Sequence, residues 1–360
     1  MNNKFIKQLI KEIQDESTSI AEDAVSSAEF TGFIDTGSYM FNAQLSGSIY
    51  GGMPNTKCLC LAGEQAVGKT FFALGMVGNF LQLNPEAIVI WYLAEPAVTK
   101  KMLLDRAIDP NRVIFAEPVT VFEWRHHVIK TLNAYLENAE KERPLMMMVL
   151  DSLGALSTEK ELEDSTKGTD KRDMTRQQHI RGTFRIIDKK LAKSKVPMIV
   201  TNHTYQTMDM YSPAEISGGG GIKYASDLVV TLSASKDRDG VQSGPVVGNI
   251  IKVRMFKNRI AKQHTVIEVR LSYETGLDRY YGLLDLGEKY NIFKKVANKY
   301  EFPDGTKAFG KAIYKNPEKF FTPEILDLLE EAAQTEYNYG KGSLSEDADA
   351  EADITEPTPQ

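Results

Sequence analysis

Residues Leu59 to Leu74 read LCLAGEQAVGKTFFAL, and this stretch decides the fold of the 360-residue chain. A short apolar strand runs into a glycine-containing loop, and the loop runs into a helix-forming segment, which is the order that a phosphate-binding loop requires. The glycines let consecutive backbone N–H groups turn towards an anion, and the helix adds the positive end of its dipole. The pattern predicts a polyphosphate site, and the alternative is an ordinary surface turn that contains glycine.

The positions of this loop have separate expected roles. Lys69 is expected to place its charge on the outer phosphates, and Thr70 to place its hydroxyl on a magnesium ion. The nucleotide is expected to be held by the loop together with an acid that closes a later strand, a set that comprises Gly63, Glu64, Gln65, Ala66, Val67, Gly68, Lys69, Thr70 and Asp151.

Composition predicts an ordinary soluble globular protein. Hydrophobic residues make up 42% of the chain, and the length suits one large α/β domain with appendages, or two domains. No stretch approaches the roughly 18 apolar residues of a membrane span, and the N-terminus lacks the apolar core of a signal peptide. We therefore expect a cytoplasmic protein with no membrane partner. Cys58 and Cys60 lie too close along one strand for an unstrained disulfide and are expected to be core residues.

The net charge of −6 is concentrated at the C-terminal end. Residues 341–360 contain six acidic residues and one lysine, a net charge of −5, which leaves the rest of the chain near neutrality. A segment rich in Ala, Ser, Pro and acid cannot bury enough apolar surface to fold, so the tail is expected to be disordered. The tail either keeps the protein soluble or acts as an acidic flap that competes with DNA for a basic surface.

After the phosphate-binding loop, apolar strands alternate with amphipathic helices, which predicts an α/β fold with a doubly wound, mostly parallel sheet. The strand Ile88 to Leu93 is closely followed by Glu95, and the strand Leu145 to Leu150 by Asp151. Ligands of such sheets lie outside the carboxyl ends of the strands, so both acids are expected to face the loop. Glu95 is a candidate general base for water, or an exposed turn acid, and Asp151 is a second magnesium-directed group.

Two later segments carry predicted binding functions. The loop from Thr204 to Gly221 contains Tyr and Met residues and four consecutive glycines. Such side chains on a flexible loop suit stacking on nucleic-acid bases, or they anchor the loop as partly buried residues. Lys257 and Arg259 lie on one strand face and form either a solvated basic face or a clamp for phosphates, including those of a neighbour's nucleotide.

Two other segments bear on assembly and order. The segment Lys4 to Glu16 has apolar residues at helical spacing, and this stripe must pack either on its own domain or on a neighbouring subunit. The segment Thr158 to Met174 is polar without a clear period, which predicts a mobile loop.

These motifs together resemble those of the RecA-type strand-exchange ATPases, and they resemble the UvsX recombinases of tailed phages more closely than the bacterial enzyme. The resemblance covers about residues 35–286, and its most specific parts are the TNHTY motif and the glycine run. It is carried by the phosphate-binding loop, DTGSYMFNAQLSG at 35–47, YLAE at 92–95, LDSLGAL at 150–156, TNHTY at 201–205 and GGGGIKYASD at 218–227.

The resemblance implies an ATP-dependent recombinase that hydrolyses ATP to ADP and phosphate in the presence of DNA. It implies helical filaments on single-stranded DNA, strand exchange with homologous duplex DNA, and roles in homologous recombination, DNA repair and recombination-dependent phage replication. The implied cofactors are ATP and Mg²⁺, and the implied further partners are a recombination mediator and a single-strand-binding protein, in the host cytoplasm if a phage encodes the protein. The rival interpretations are a ring-forming hexameric helicase of the same fold and a regulatory ATPase that needs no DNA.

The resemblance also implies roles for particular residues. The catalytic set would be Glu95, Lys69, Lys257, Arg259 and His203, with Lys257 and Arg259 reaching the neighbour's ATP. His203 occupies a γ-phosphate-sensing position at which most relatives carry Gln. The residues expected to contact DNA from two loops, about 155–175 and 204–219, are Arg172, Arg176, Tyr205, Met208, Met210, Tyr211, Gly218 and Gly219.

The expected domain organisation has four parts. Residues 1–34 form an N-terminal oligomerisation arm, and residues 35–286 form the ATPase core. Residues 287–336 form a small C-terminal segment, and residues 337–360 form the acidic tail. Tyr92 and Tyr280 are the candidates for stacking on the adenine.

Overall fold

The structure is a computed structural model that describes residues 3–13, 30–168, 173, 175–205, 215–217, 220–238 and 243–340. The α-helices of these residues are α1 (Asn3–Ile13), α2 (Tyr39–Ser46), α3 (Lys69–Leu83), α4 (Lys100–Leu104), α5 (Val121–Glu137), α6 (Glu159–Thr166), α7 (Arg176–Ser194), α8 (Gly220–Ala225), α9 (Leu283–Lys289), α10 (Gly310–Lys315), α11 (Pro317–Phe320) and α12 (Pro323–Tyr337).

The strands of the same residues are β1 (Phe33–Ile34), β2 (Met53–Pro54), β3 (Cys58–Gly63), β4 (Ile88–Leu93), β5 (Val113–Ala116), β6 (Met146–Asp151), β7 (Met198–Tyr205), β8 (Glu215–Ile216), β9 (Leu228–Asp237), β10 (Gly248–Asn258), β11 (Val266–Ser272), β12 (Gly276–Leu277), β13 (Lys294–Val296), β14 (Lys299–Glu301) and β15 (Lys307–Phe309).

Within the described residues, ten strands build the central sheet in the order β12-β11-β10-β9-β3-β7-β6-β4-β5, with β8 paired to β7. The strands from β9 to β5 in this order are parallel, and the pairings of β9 with β10, β10 with β11 and β11 with β12 are antiparallel. The helices α3, α5 and α7 follow β3, β5 and α6 in the chain and cover the two faces. The predicted α/β class with a mostly parallel sheet is confirmed.

Strand β3 shows how the sequence divides the core between the two faces of the sheet. Leu59 and Leu61 pack into one apolar cluster, and Cys58, Cys60 and Ala62 pack into the other. Successive side chains of a strand point to opposite faces, so a continuous apolar run is what a strand covered on both faces requires. Both cysteines are buried free thiols, as predicted. Burial raises the pKa of both thiols, and that of Cys60 reaches about 12.

The register of the parallel strands brings their carboxyl ends to one edge. Gly63 at the end of β3 lies beside His203 in β7, and Leu93 at the end of β4 lies beside Asp151 in β6. We refer to this edge as the phosphate edge and to the edge where β3 begins, at Cys58, as the far edge. The six residues of β3 separate the two edges by about 17 Å, at about 3.3 Å a residue.

The C-terminal segment contains a three-stranded antiparallel sheet, β13-β14-β15, followed by α10, α11 and α12. Its apolar side chains belong to the same buried cluster as those of the central sheet, among them Phe293, Phe302, Phe321, Leu329 and Tyr337. None of the helices that the structure describes is long and apolar enough to cross a membrane.

The described part of the segment Thr158 to Met174 differs from its prediction. Residues 159–166 form the helix α6, and a capping box at Thr158 and Glu161 starts it. The helix lacks an apolar period because none of its own residues is buried, so a periodicity argument could not find it. The acidic tail at 341–360 lies outside the described residues.

Candidate functional site at the phosphate edge

The phosphate-binding loop adopts the conformation that its sequence predicts. Gly68 has a φ of 105°, a left-handed conformation that favours glycine, and α3 begins at the next residue. Lys69 is buried, and its ammonium group donates hydrogen bonds to the carbonyl oxygens of Gly63 (3.0 Å) and Glu64 (2.7 Å). Burial lowers the pKa of Lys69, and the charges of Glu95 and Asp151 oppose this effect.

Asp151 and Thr70 form the part of the site suited to a divalent cation. The Thr70 hydroxyl donates to Asp151 Oδ2 at 2.8 Å, and the Thr201 hydroxyl donates to Asp151 Oδ1. Thr201 therefore fixes the carboxylate from the neighbouring strand. Carboxylate and hydroxyl oxygens are the hard ligands that Mg²⁺ prefers, commonly together with substrate phosphates and water. The residues present thus fit a magnesium–nucleotide complex.

Glu95 is held by two polar side chains. The Ser152 hydroxyl donates to Glu95 Oε1 at 2.5 Å, and His203 Nε2 lies 2.8 Å from the same oxygen. The backbone N–H of Glu95 donates to the carbonyl of Asp151 at 3.1 Å. Burial by itself raises the pKa of Glu95, but the hydrogen bonds from Ser152 and His203 and the charge of Lys69 together hold it below its ordinary value. Glu95 is therefore ionised and oriented, as a general base must be.

These groups line one cavity of about 380 Å³. Its walls include Gln65, Lys69 and Thr70 from the loop, and Glu95, Asp151, Ser152 and His203 from the strand ends. The size falls in the range of small-molecule sites, and the lining combines charged and polar groups with apolar ones, as such sites do. The structure thus brings together the predicted residues Lys69, Thr70, Glu95, Asp151 and His203. Sequence reasoning gave no role to Ser152 or Thr201, although each lies within a quoted motif.

His203 also adjoins one of the predicted DNA-binding loops. Two residues after it, Tyr205 ends β7, which pairs antiparallel with β8. Asn202 donates to the carbonyl of Ser217 at 2.7 Å, so both ends of the intervening segment are fixed next to the cavity. Tyr205 itself is 45% exposed, and its hydroxyl donates to Glu215 at 2.9 Å.

The described residues include two of the eight predicted DNA contacts, Tyr205 and Arg176. Arg172, Met208, Met210, Tyr211, Gly218 and Gly219 lie outside the described residues. Arg176 is described, and its guanidinium donates to the carbonyls of Gly154 (2.7 Å) and Leu156 (2.8 Å). In this structure Arg176 fixes the turn after β6, which is a structural role that the sequence did not suggest.

The candidates for adenine stacking also need revision. Tyr92 is 1% exposed and packs inside the core, so it cannot reach a ligand. Tyr280 packs on Tyr39 and Phe321 instead of facing the cavity. Two exposed aromatic side chains line the cavity, Phe71 at 43% exposure and Tyr273 at 66% exposure, and Tyr273 is the more accessible of the two. The position of Tyr273 became evident only from the fold, because Tyr273 follows β11, the strand next to the terminal strand β12 of the sheet.

Lys257 and Arg259 lie at the far edge of the sheet, away from the cavity of their own subunit. The Lys257 ammonium donates to the carbonyls of Lys223 (3.0 Å) and Ser226 (2.7 Å). Arg259 donates to Asp227 at 2.9 Å, and Asp227 accepts a hydrogen bond from the N–H of Cys58, where β3 begins. Burial and the charge of Arg259 lower the pKa of Lys257. The structure therefore separates these two cations from the five residues of the cavity.

A phosphate-binding loop at the end of a central parallel strand, with strand-end acids beside it, defines the class of phosphate-loop nucleotide-binding proteins. The chain belongs to the RecA family, because residues 4–278 match the model of the RecA N-terminal domain. The resemblance inferred from the motifs is thereby confirmed.

Individual relatives agree with this family. The chain is 31% identical over 259 residues to a recombination and repair protein of Enterobacteria phage T4, an alignment that covers 72% of this chain and 64% of the phage protein. It is 24% identical over 297 residues to Protein RecA of Mesoplasma florum, covering 79% and 83% of the two chains. It is 28% identical over 287 residues to Protein RecA of Mycoplasma genitalium, covering 77% and 78%. The chain thus spans slightly less than two thirds of the phage relative.

Proposed function

We propose that the protein is an ATP-dependent strand-exchange recombinase that assembles as helical filaments on single-stranded DNA and pairs them with homologous duplex DNA. It would act in the cytoplasm in homologous recombination, DNA repair and recombination-dependent phage replication. The observation that carries the proposal is that the groups suited to hydrolysis are divided between two edges of one subunit. Lys257 and Arg259 lie about 17 Å from the phosphate edge, which is too far to reach their own nucleotide.

The cavity residues have distinct roles in the proposed DNA-dependent ATPase. Lys69 would bind the outer phosphates, and Thr70 and Asp151 would hold Mg²⁺ with the nucleotide. Bound Mg²⁺ would neutralise phosphate charge and orient the phosphates. Glu95 would orient the attacking water and accept its proton, while Ser152 and His203 hold the carboxylate in place. Lys257 and Arg259 of the next subunit would stabilise the charge that develops on the terminal phosphate.

The connection between nucleotide and DNA would run through β7. His203 contacts Glu95 at 2.8 Å and directly precedes Thr204, where the predicted loop of about residues 204–219 begins. A change at the terminal phosphate would therefore be passed on to residues of about 204–219, which we propose as the second DNA-binding loop. Binding to phosphates and base faces would be largely independent of sequence and would weaken with salt.

Self-assembly follows from the position of the two edges. If the far edge of one subunit meets the phosphate edge of the next, the interface is heterologous, and repeated copies form a ring or an open helix. The helix α1 carries Phe5, Ile6, Leu9 and Ile13 on its surface with 44% to 57% exposure. We propose that these side chains pack on a neighbouring subunit, which makes residues 1–34 the oligomerisation arm.

Electron microscopy of the protein with single-stranded DNA and a slowly hydrolysed ATP analogue tests the proposal. Helical filaments are expected. Closed rings would favour the hexameric helicase, and the lack of any DNA-bound assembly would favour the regulatory ATPase. In parallel, single-stranded DNA should stimulate ATP hydrolysis, and Lys69→Ala should abolish it. Full DNA-stimulated hydrolysis by this variant would contradict the assignment of the site.

A further inference from the structure

Arg259 is held by a carboxylate to which the sequence analysis gave no function. Arg259 Nη1 lies 2.9 Å from Asp227 Oδ1. The Asp227 side chain is 10% exposed, whereas that of Arg259 is 53% exposed. One side of the guanidinium is therefore bound to a buried anion, while a large part of the group stays accessible.

The Asp227 carboxylate is itself fixed in the sheet. Its second oxygen, Oδ2, accepts a hydrogen bond from the backbone N–H of Cys58 at 3.1 Å. Cys58 is the first residue of β3, the strand that ends in the phosphate-binding loop. Asp227 itself directly precedes β9, which is the parallel neighbour of β3. The position of Arg259 is thus tied to the central strand of the sheet.

The stretch of chain that ends at Asp227 also holds the second cation, Lys257. Lys257 donates to the carbonyls of Lys223 and Ser226, which belong to the stretch that ends at Asp227. Arg259 and Asp227 also line a cavity of about 410 Å³, so the space beside the guanidinium is open to a ligand. Both cations are therefore presented from one fixed framework at the far edge.

We propose that Asp227 is a positioning residue that orients Arg259 for the nucleotide of the neighbouring subunit. This inference rests on the proposed function, because Arg259 needs a neighbour to act. Arginine side chains have many rotamers, and a carboxylate that binds one N–H in advance reduces the freedom lost when the remaining N–H groups meet a phosphate. Pre-organised charge of this kind is what stabilises a developing negative charge.

The test is a double-mutant cycle on DNA-stimulated ATP hydrolysis. Asp227→Asn removes the charge but keeps an oxygen that can accept from the Cys58 N–H. It is expected to lower kcat about 10- to 100-fold, the loss typical of a misplaced catalytic group. Arg259→Gln is expected to lower kcat about 100-fold or more. The double variant should be no slower than Arg259→Gln alone, because Asp227 acts only through Arg259.

The nucleotide site of the same subunit supplies a second readout. Binding of ADP to the isolated variant should equal that of the wild type, since the phosphate edge lies about 17 Å away. A matched control is Asp237→Asn, which breaks the Arg270–Asp237 ion pair at the other end of β9, about 30 Å from Asp227. This control should lower thermal stability but keep kcat within about twofold of wild type.

Several outcomes would overturn the inference. They are an unchanged kcat for Asp227→Asn, a double variant slower than Arg259→Gln by the full factor of the single change, or equal losses in the Asp237 control. If Asp227→Asn does not fold, Asp227→Glu takes its place in the same cycle, and a loss is again expected only where Arg259 is present. Failure of the wild type to hydrolyse ATP with DNA would contradict the proposed function instead.

Discussion

At the scale of single residues, the carboxylate of Glu95 shows how neighbours set chemistry. Ser152 and His203 both contact one of its oxygens, and Lys69 adds positive charge. These three influences exceed the effect of burial, so the pKa of Glu95 lies below its ordinary value. A base with a lowered pKa stays ionised as the pH falls. Its charge, and with it the ability to accept a proton, is lost only when the pH drops through that lowered pKa.

The Ser152 hydroxyl should therefore control the acid limit of ATP hydrolysis. Ser152→Ala removes a hydrogen bond that lowers the pKa of Glu95, so that pKa should rise. The fall in kcat on the acid side should then begin at a higher pH than in the wild type. Rates of DNA-stimulated hydrolysis across the pH range measure this change.

Glu95→Gln is the control for the Ser152 prediction. It removes the base at every pH and should lower kcat about 100-fold or more throughout the range. If kcat of Ser152→Ala fell at the same acid pH as kcat of the wild type, the hydrogen bond from Ser152 would have no influence on the pKa of Glu95.

At the scale of elements, α6 shows the strength of helix capping where burial is small. Thr158 accepts the N–H of Glu161, and Glu161 accepts the N–H of Thr158. The Thr158 hydroxyl also donates to Asp173 at 2.8 Å, which joins the helix to the segment before α7. Because α6 has no buried residue of its own, these polar contacts contribute a large share of its stability.

Thr158→Ala should loosen α6 selectively. The loss of the cap is expected to cost about 1 kcal/mol of helix stability. Amide hydrogen exchange should accelerate in residues 159–166 and stay unchanged in α5. Thr120→Ala, which removes the equivalent cap of α5, should give the reverse pattern. Equal acceleration in both helices in either variant would indicate global destabilisation instead.

The exposed stripe of α1 makes a separate prediction about assembly. Leu9→Glu places a charge on a surface that we propose to be buried against a neighbour, so filament formation on DNA should require severalfold more protein. The melting temperature of the unassembled protein should not change, because Leu9 is 46% exposed within one subunit. Light scattering and thermal unfolding measure the two effects. Gln8→Glu, on the same helix, is the matched control for added charge.

Elements that a local pattern encodes could be predicted from the sequence, whereas long-range partners could not. The placement of Glu95 and Asp151 followed from the rule that parallel strands share a carboxyl edge. The helix α6 was not predicted, because its sequence has no apolar residues at helical spacing. The partner of Arg259 was not predicted, because Asp227 is 32 residues away in the chain. The two side chains meet only after β9 and β10 pair. Tyr92 failed as an adenine contact because its strand is covered on both faces.

At the scale of the whole molecule, the two edges should act as separable halves of one site. In a 1:1 mixture of Lys69→Ala and Lys257→Ala, some interfaces join the intact phosphate edge of a Lys257→Ala subunit to the intact far edge of a Lys69→Ala subunit. With random order, about one interface in four is of this kind, so roughly a quarter of the wild-type rate should return. DNA-stimulated hydrolysis of the mixture, compared with each variant alone, measures the recovery.

The matched control mixes Lys69→Ala with Glu95→Gln, since both changes damage the phosphate edge. No interface in that mixture is sound, so no recovery is expected. Recovery in the control would mean that the restored activity does not depend on an intact phosphate edge meeting an intact far edge. No recovery in the first mixture would count against cations that act across the interface.

The placement of loop and cations at opposite ends of β3 makes any linear array of this protein directional. If the cations of one copy complete the site of the next, as proposed, an array of n copies contains n−1 completed sites. One terminal copy would bind a nucleotide that no neighbour completes, and the copy at the other terminus would present cations to solvent. Growth and loss of copies should therefore proceed at unequal rates at the two termini, and short arrays should hydrolyse less per copy than long ones.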